Sequence, residues 1–341
     1  MSLPAGEIRK KQAIYPRQKF EGHIKEVHGV IHLPDGQRVM TCSIDGSLRV
    51  WNLETGGQIG NDWRDGESGV ESISLNGKKV VSGSKDGGMK IWDLNTGKVI
   101  TTWTAHTSNV TAVSWSQDGA RIMSGCFDGT TRVWDVESGK TILEIITGFN
   151  NIFTYGAIYS PDETMIATGG SNNVEKEFLK IWDAKTGELV KNLKGHTDNV
   201  TCLAWTPDGS TLISGSQDHS IRTWNTATWQ QIAILTEHTD TVIAIAISPN
   251  GRILASAAGS EDKTVRLWNL ENDHLVASPL QHPNAVYCLS FSTDGKLLAT
   301  GCRDKNAYAW DMFAIGNDLN ELLVNVSLVL ILSLYHLNVL S

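Results

Sequence analysis

The 341-residue sequence carries 29 Lys and Arg against 37 Asp and Glu, a formal net charge of −8 at pH 7. This balance gives no sign of the basic stripe by which proteins usually bind nucleic acid, so no nucleic-acid partner is indicated. The five cysteines form no CxxC pair and lie mostly in apolar runs, which favours reduced thiols over disulfides or zinc. No apolar stretch of signal-peptide length lies near Met1, so we expect a cytoplasmic or nuclear protein.

The N-terminal part of the chain is predicted to be a polar extension over residues 1–11 followed by a strand over 13–20. The predicted strand ends three residues before His23, just as the run 231–235 ends three residues before His238. Pro16 fits such a strand only at a sheet edge, because proline lacks the N–H that an interior ladder needs.

After this strand, a tryptophan recurs at a nearly constant distance. The steps are 41, 42, 48, 42, 44 and 42 residues, and each tryptophan is followed by Asn or Asp. The seven positions are Trp51, Trp92, Trp134, Trp182, Trp224, Trp268 and Trp310. A period of this length indicates a repeat architecture.

Three other residue types keep a fixed distance from the tryptophan. An aspartate lies six residues before it in six units, at Asp45, Asp86, Asp128, Asp218, Asp262 and Asp304. A Ser or Thr lies four residues before that aspartate in five units, at Thr41, Ser82, Ser124, Ser214 and Thr300. A histidine lies 28 residues before the tryptophan in four units, at His23, His106, His196 and His282. In the sixth unit, two extra residues shift His238 and Ser256 together relative to Trp268.

Each unit reads as four short strands separated by tight turns. Unit five has apolar runs over 200–205 and 211–214, a Pro-Asp-Gly turn at 207–209, and further runs at 220–224 and 230–235. Apolar runs of this length, split by Asp-Gly or Thr-Gly turns, are hairpin signals. Four antiparallel strands in about 42 residues are typical of one propeller blade.

These units resemble the WD-repeat family. The resemblance is carried by Gly195-His196 near the start of a unit, Ser-Gly-Ser-x-Asp in its middle and Trp-Asp at its end. It implies an all-β fold, a seven-bladed β-propeller of four-stranded antiparallel blades over residues 12–315. The family usually completes its last blade with a strand from the other end of the chain, so the N-terminal strand is expected to close blade seven.

The resemblance also gives the polar residues a structural role. It implies a buried hydrogen-bond relay of His, Ser or Thr, Asp and Trp in five blades. The expected relay residues are His23, Thr41, Asp45 and Trp51; His106, Ser124, Asp128 and Trp134; His196, Ser214, Asp218 and Trp224; His238, Ser256, Asp262 and Trp268; and His282, Thr300, Asp304 and Trp310. Ser, His and Asp together also suggest a hydrolase triad, but one active site is not built five times in a ring.

Units two and four depart from the pattern. Unit two has no histidine, with Gly66 nearest to the expected position, and its first turn is about two residues short. Unit four has Asn150 in the histidine position, Lys176 in the aspartate position and a charged insertion over 171–177. Either these are softer blades, or the insertion is a loop specific for a partner.

Partner contacts are expected on the face that carries the histidine and aspartate turns, where the family typically binds. Transferred position by position, the candidate residues are Phe127, Tyr155, Tyr287, Arg303, Lys85, Gln217 and His28. Ile44, Glu261, Thr111, Thr201 and Ile243 occupy the same kinds of position, as do Glu26, Asn109 and Asn199. Aromatic residues and arginine dominate interface energetics, which singles out the first four.

Neither a catalytic site nor a cofactor or metal site is predicted. Gly139-Lys140-Thr141 ends like a phosphate-binding loop, but Trp134 stands where the loop needs its first glycine. No metal-ligand spacing such as HExxH occurs.

The C-terminal tail over 316–341 contains an almost uncharged run at 322–340, about the length of a membrane span. Three interpretations stay open for this run: a tail anchor, a helix packed on the propeller or on a partner, or a segment without a selected role.

The predicted function is a non-catalytic intracellular scaffold or substrate-recruiting adaptor. It would act as a monomeric propeller within a larger complex and bind protein subunits or peptide segments. The alternative is an adaptor tethered to a membrane by residues 322–340. A propeller enzyme would need an unrepeated polar cluster near the channel, and the sequence offers none.

Overall fold

The computed structural model describes residues 14–64, 66–104, 106–149, 154–171, 176–315, 319 and 322–323. These residues form 29 strands and one four-residue helix, α1 (Met312–Ile315). The strands are arranged as seven antiparallel sheets around a central channel, which confirms the predicted seven-bladed propeller. The predicted N-terminal extension, residues 1–11, lies outside the described residues.

The strands of blades one to three follow one another in chain order from the channel outward. Before them stands β1 (Gln18–Phe20). Blade one has β2 (Val27–His32), β3 (Arg38–Ser43), β4 (Leu48–Asn52) and β5 (Gln58–Trp63); blade two has β6 (Val70–Asn76), β7 (Lys79–Ser84), β8 (Gly88–Asp93) and β9 (Val99–Thr104); blade three has β10 (Val110–Trp115), β11 (Arg121–Cys126), β12 (Thr130–Asp135) and β13 (Thr141–Ile146).

Blades four to seven repeat this arrangement with two irregularities. Blade four has β14 (Thr154–Tyr159), β15 (Met165–Gly170), β16 (Leu179–Asp183) and β17 (Leu189–Leu193); blade five has β18 (Val200–Trp205), β19 (Thr211–Ser216), β20 (Ile221–Asn225) and β21 (Gln231–Leu235); blade six has β22 (Val242–Ile247), β23 (Ile253–Ala258), β24 (Thr264–Asn269), β25 (His274–Leu275) and β26 (Leu280–Gln281); blade seven has β27 (Val286–Phe291), β28 (Leu297–Cys302) and β29 (Ala307–Asp311). The outer strand of blade six is split in two, and blade seven lacks an outer strand of its own.

The N-terminal strand closes the ring, as predicted. β1 pairs antiparallel with β29, with Gln18 opposite Ala309 and Phe20 opposite Ala307. Phe20 is buried beside Trp51 and so joins blade seven to blade one. The strand is shorter than the predicted 13–20 and begins at Gln18, two residues after Pro16, which cannot donate to the ladder.

The hairpin turns are fixed by local hydrogen bonds from backbone amides and hydroxyl groups to a side-chain carboxylate. In blade five, Asp208 Oδ1 accepts from the Ser210 amide at 3.1 Å and from Thr206 Oγ1 at 2.6 Å. Gly209 completes this turn at a φ of +71°, a conformation that glycine adopts without strain. We call the face that carries this turn the lower face, and the face that carries the turns at Asp45, Asp128 and Asp218 the upper face.

Adjacent blades pack closely because glycine occupies the middle of the Ser-Gly-Ser sequence or its equivalent. A Cβ at Gly215 would lie 2.7 Å from Cγ1 of Val242, the first residue of the next inner strand. The same contact recurs at 2.6–2.7 Å for Gly83 with Val110, Gly169 with Val200, and Gly301 with Val27. The repeated glycine thus allows the interblade core to form at native packing density.

All five cysteines are free thiols inside or at the edge of this core. Burial raises the pKa of Cys202 to about 12 and that of Cys302 to about 12, so these side chains are neutral thiols at physiological pH.

Of the apolar run at 322–340, the structure describes Leu322 and Leu323. Leu323 and the nearby Leu319 are buried with Met312 against blades six and seven. The side-chain amide of Asn250 donates to the Leu322 carbonyl at 2.7 Å. Among the described residues, no helix has both the length and the apolar character that a membrane crossing requires.

Candidate functional site

A buried chain of hydrogen bonds ties the loop before β2 to β3 and β4. Trp51 Nε1 donates to Thr41 Oγ1 at 2.8 Å. Thr41 Oγ1 lies 2.8 Å from His23 Nε2, and His23 Nδ1 lies 2.8 Å from Asp45 Oδ2. An ionised carboxylate only accepts, so Nδ1 donates to Asp45, and in the neutral ring Nε2 accepts from the hydroxyl.

The same chain of bonds recurs in blades three, five and six. The distances from His to Asp, from His to Ser, and from Trp to Ser are 2.9, 2.7 and 2.8 Å for His106, Asp128, Ser124 and Trp134; 2.8, 2.8 and 2.9 Å for His196, Asp218, Ser214 and Trp224; and 3.1, 2.7 and 2.8 Å for His238, Asp262, Ser256 and Trp268. Satisfied buried polar networks of this kind rigidify a fold.

The aspartates of these networks are ionised. Burial alone would raise the pKa of Asp45, but hydrogen bonds from His23 and Ser47 outweigh burial and hold that pKa well below its usual range. The same balance lowers the pKa of Asp128, Asp218 and Asp262. Each carboxylate is therefore fixed in a hydrogen-bonded position and is not poised for proton transfer near neutral pH.

In blade seven, one predicted relay residue, Asp304, is not hydrogen-bonded to the histidine, so this prediction was wrong. His282 Nε2 lies 2.9 Å from Thr300 Oγ1, and Trp310 donates to the same oxygen at 3.3 Å. His282 Nδ1, however, lies 3.2 Å from the Leu280 carbonyl and makes no hydrogen bond to Asp304.

The side chains around Asp304 explain this difference. Its carboxylate accepts from the Tyr308 hydroxyl and, at 3.0 Å, from Asn306 Nδ2. Tyr308 lies four residues after the aspartate, where the four blades with a complete relay carry Arg49, Arg132, Arg222 and Arg266. The tyrosine hydroxyl thus donates to Asp304 Oδ2, which corresponds to the carboxylate oxygen that the histidine contacts in blades one, three, five and six.

Blades two and four keep part of the network. Trp92 donates to Ser82 at 2.8 Å, while Asp86 is exposed in the blade that lacks the histidine. Trp182 donates to Thr168 at 2.8 Å, a partner that the spacing did not predict because four extra residues separate them. An alignment of unit four from its first strand, instead of backwards from Trp182, would have placed Thr168 at the Ser or Thr position before the insertion.

In blade four, a lysine contacts two residues that shortly precede the predicted histidine position in the sequence. Lys180 Nζ donates to the Thr147 carbonyl at 3.0 Å and lies 5.2 Å from the centre of the Phe149 ring. Asn150, the predicted histidine substitute, lies outside the described residues, as do residues 172–175 of the insertion. Lys176, the predicted substitute for the aspartate, adopts a φ of +53°.

On the upper face, two predicted partner residues pack against each other. The rings of Phe127 and Tyr155 meet edge to face with centroids 5.3 Å apart. Both side chains are half-buried, so part of each ring faces solvent at the border between blades three and four. Nothing in the strand pairing requires an aromatic side chain at these two positions.

A second group lies at the mouth of the channel around Glu71. His28 Nδ1 lies 2.7 Å from Glu71 Oε2, and Lys85 Nζ lies 3.6 Å from Glu71 Oε1. Asn109 Nδ2 donates to the same carboxylate at 3.3 Å. The His28 ring lies 4.6 Å from the Tyr287 ring, which links this group to blade seven.

Sequence reasoning missed Glu71, although it occupies in blade two the position that His28 has in blade one. Val70 pairs with Ser84 just as Val27 pairs with Ser43, so the next residues, Glu71 and His28, correspond. The missing histidine of blade two removed the marker from which this position was counted. The short first turn of the unit was the signal that would have restored the register.

The other predicted partner residues lie on the same face but apart from Glu71. Gln217 accepts from Asn199 Nδ2 at 2.9 Å. Arg303 is exposed beside Tyr287. Burial raises the pKa of Tyr287, and the nearby Arg303 charge partly opposes this effect.

Glu261 does not share the backbone position of Phe127. The Phe127 amide donates to the Asn109 carbonyl, and in blade six the equivalent donor is Gly259, bonded to the Thr241 carbonyl at 3.0 Å. The two extra residues therefore place Glu261 on a longer turn, where its amide donates to Asp240 at 2.9 Å.

Two family models match this chain. A model described as "WD domain, G-beta repeat" matches residues 14–52, 62–93 and 97–135. A model described as "IFT122 first beta-propeller" matches residues 153–327, more than half of the chain. The chain belongs to the WD-repeat family.

Relatives of this WD-repeat chain match short segments. "WD repeat and SOCS box-containing protein 1" of Danio rerio is 43% identical over 65 residues, 19% of this chain and 14% of that protein. "Protein ROOT INITIATION DEFECTIVE 3" of Arabidopsis thaliana is 50% identical over 44 residues, 13% of this chain and 10% of that protein. "Intraflagellar transport protein 122 homolog" of Mus musculus is 37% identical over 67 residues, 20% of this chain and 5% of that protein. In each case the matched segment spans less than a sixth of the relative's length.

One relay in the WD-repeat propeller includes a group that resembles a metal site. Ligand atoms of His106, Cys126 and Asp128 lie within 4.8 Å of one another. Both ring nitrogens of His106 are already bonded, to Asp128 and Ser124. Burial raises the pKa of Cys126 to about 12, whereas a metal ligand needs the thiolate. We therefore assign the cluster to the hydrogen-bond network.

The central channel of the WD-repeat propeller opens beside the Glu71 group. It has a volume of about 360 Å³ and is lined by the inner strands of all seven blades. His28, Glu71, Thr111, Tyr155 and Thr201 take part in its lining. These are corresponding positions of five successive blades, so each of these five blades contributes one variable side chain to the mouth of the channel.

Proposed function

We propose that this chain is a non-catalytic scaffold or substrate-recruiting adaptor that binds protein partners across the upper face of its propeller. One observation carries the proposal: half-buried aromatic side chains and accessible charged side chains gather around the channel mouth, at positions that the blade architecture leaves free to vary. Aromatic residues and arginine supply most of the binding energy at protein interfaces. Phe127, Tyr155, Tyr287 and Arg303 are the proposed central contacts.

The repeated network favours this proposal over a hydrolase. The His, Asp and Ser groups occur in several blades with both histidine nitrogens bonded and the carboxylates held ionised. A buried serine that bonds both a histidine and a tryptophan is not exposed to a substrate. We therefore assign the network to stability and the variable upper face to binding.

The propeller is proposed to work as a monomeric unit within a larger complex, in the cytoplasm or the nucleus. One relative is named for a WD repeat combined with a SOCS box, and another is named for intraflagellar transport. Protein subunits or peptide segments are the proposed partners.

Affinity capture with the full chain tests the proposed face. The wild type is compared with a Phe127→Ala/Tyr287→Ala/Arg303→Ala variant that unfolds as cooperatively as the wild type. We expect the variant to lose specific partners by about tenfold or more, because each truncation removes an interface anchor. Recovery of the same partners by both proteins would place the binding site elsewhere.

A parallel activity assay addresses the enzyme alternative. Turnover of any substrate that one polar substitution abolishes, with folding intact, would refute the scaffold assignment. Replacement of His196 by Asn is the most direct substitution to examine, because it interrupts one complete network.

A further inference from the structure

The lower face carries a tryptophan in a backbone conformation that rarely accommodates a side chain. Trp229 has a φ of +56° in the turn between β20 and β21. The corresponding turns of blades one to four use glycine at φ of +67° to +73°, namely Gly56, Gly97, Gly139 and Gly187. A bulky residue in this left-handed region is uncommon and often marks a functional constraint.

Blades two and three show what fills the corresponding space there. A Cβ at Gly97 would lie 2.5 Å from Trp63 Nε1, and one at Gly139 would lie 2.8 Å from Trp103 Nε1. In those blades, a side chain of the preceding blade covers the glycine. In blade five, Trp229 stands in the turn itself and packs edge to face on Trp205, with ring centroids 6.1 Å apart.

A pocket of about 480 Å³ lies beside these two indoles, between blades four and five. Pro161 and Met165 complete its apolar wall. Asp162 and Asp208 also line it, and none of the described lining residues is Lys or Arg. Both carboxylates are exposed, so they form an acidic rim around an aromatic floor.

The two carboxylates are held in place and carry charge. Asp208 accepts from Thr206 and Ser210, and Asp162 accepts from Ser160 and Thr164 at 2.6 and 3.1 Å. Hydrogen bonds from Thr206 and Ser160 respectively lower the pKa of Asp208 and of Asp162. The rim is therefore negative throughout the physiological pH range.

We infer that this pocket is a second docking site, on the face opposite the proposed upper-face site, for a protein segment that inserts an arginine side chain. A guanidinium stacks flat on an indole and can donate to two carboxylates at once. Its charge complements the acidic rim, and its weak hydration suits a partly apolar pocket. A partner held here leaves the upper face accessible, so one propeller can bridge two proteins.

Selection from a phage-displayed random peptide library tests the inference on the full chain. Binders to the wild type are depleted on a Trp229→Gly variant, and the affinity of each surviving peptide is measured by fluorescence anisotropy. Glycine accepts the local backbone conformation in four other blades, so this variant should keep the turn, and its thermal unfolding is compared with that of the wild type because Trp229 also packs on the core. We expect the surviving peptides to share an arginine and to bind the variant about tenfold or more weakly.

Two matched variants complete the test. Asp162→Asn/Asp208→Asn keeps the Oδ1 acceptors of both turns and removes the two charges, while the Thr164 and Ser210 hydroxyls that donate to Oδ2 can instead accept from the new amides. This variant should weaken binding as Trp229→Gly does. Phe127→Ala lies on the upper face and should leave binding unchanged. The inference is overturned if no peptide survives depletion, if the surviving peptides lack arginine, or if Phe127→Ala alone abolishes their binding.

Discussion

Ser214 joins two side chains that lie on different parts of blade five. Its hydroxyl oxygen accepts from Trp224 and lies 2.8 Å from His196 Nε2. Ser82 of blade two has the same tryptophan contact but no histidine. A comparison of Ser214 with Ser82 therefore separates the contribution of the complete network to stability from that of a single hydrogen bond.

We predict that Ser214→Ala lowers the free energy of unfolding by about 2–3 kcal/mol, because it leaves two buried partners unsatisfied. Ser82→Ala should cost about 1 kcal/mol, the typical value of one hydrogen bond. Chemical denaturation of both variants measures the difference. Equal losses would mean that the histidine link adds no stability.

Buried histidines make the stability depend on pH. Burial lowers the pKa of His282 from 6.5 to about 4 and that of His32 to about 4. Between pH 6.5 and pH 4, these histidines bind protons in the unfolded chain but not in the folded chain. The stabilisation is therefore complete above pH 6.5 and is lost as the pH falls towards 4.

We predict that the free energy of unfolding falls by up to about 1.4 kcal/mol per pH unit for each such histidine in this window. His32→Leu removes one titrating group and should flatten the slope by that amount. Denaturation curves at several pH values between 7 and 4 measure it. An unchanged slope in the variant would show that His32 titrates normally in the folded protein.

At the scale of the elements, the close approach of neighbouring blades depends on glycine. Gly215 on β19 faces Cys202 Sγ and Val242 Cγ1, which a Cβ would meet at 2.6 and 2.7 Å. Both neighbours are core side chains held by their own strands, so neither can move aside without loss of packing.

We predict that Gly215→Val destabilises the propeller by about 3 kcal/mol or more through overpacking of the interface between blades five and six. Gly57→Ala is the control, because the nearest atom to its Cβ would be Thr55 Oγ1 at 3.4 Å. Thermal unfolding of the two variants provides the comparison. A tolerated valine would contradict the packing reason given for the repeated glycine.

Across the whole molecule, stability depends on ring closure by three residues from the far end of the chain. β1 supplies the outer strand of blade seven, and Phe20 fills the space between that blade and Trp51. Without β1, the edge of β29 would be unpaired and a buried aromatic side chain would be lost.

We predict that deletion of residues 1–20 lowers the melting temperature by about 10 °C or more, through the loss of several kcal/mol of packing and pairing. Deletion of residues 1–11, which leaves β1 intact, serves as the matched control. Differential scanning calorimetry compares both proteins with the full chain. Similar melting temperatures for all three would show that closure by β1 is dispensable.

The sequence by itself determined the number of blades, the strand order within them and the origin of the closing strand. These features repeat, and each repeat confirms the register of the others. Trp51, Asp45 and their counterparts are fixed by local turns and by neighbouring strands, so their spacing survives in the linear chain.

The tertiary structure decided the features that break the repeat. Thr168 replaces a missing marker across an extended turn, and Tyr308 takes the carboxylate that His282 was expected to bond. Glu71 and the Trp205–Trp229 pocket arise where side chains of different blades meet. Such contacts depend on how side chains pack within a blade and between adjacent blades, and the spacing of the repeated residues does not show this packing.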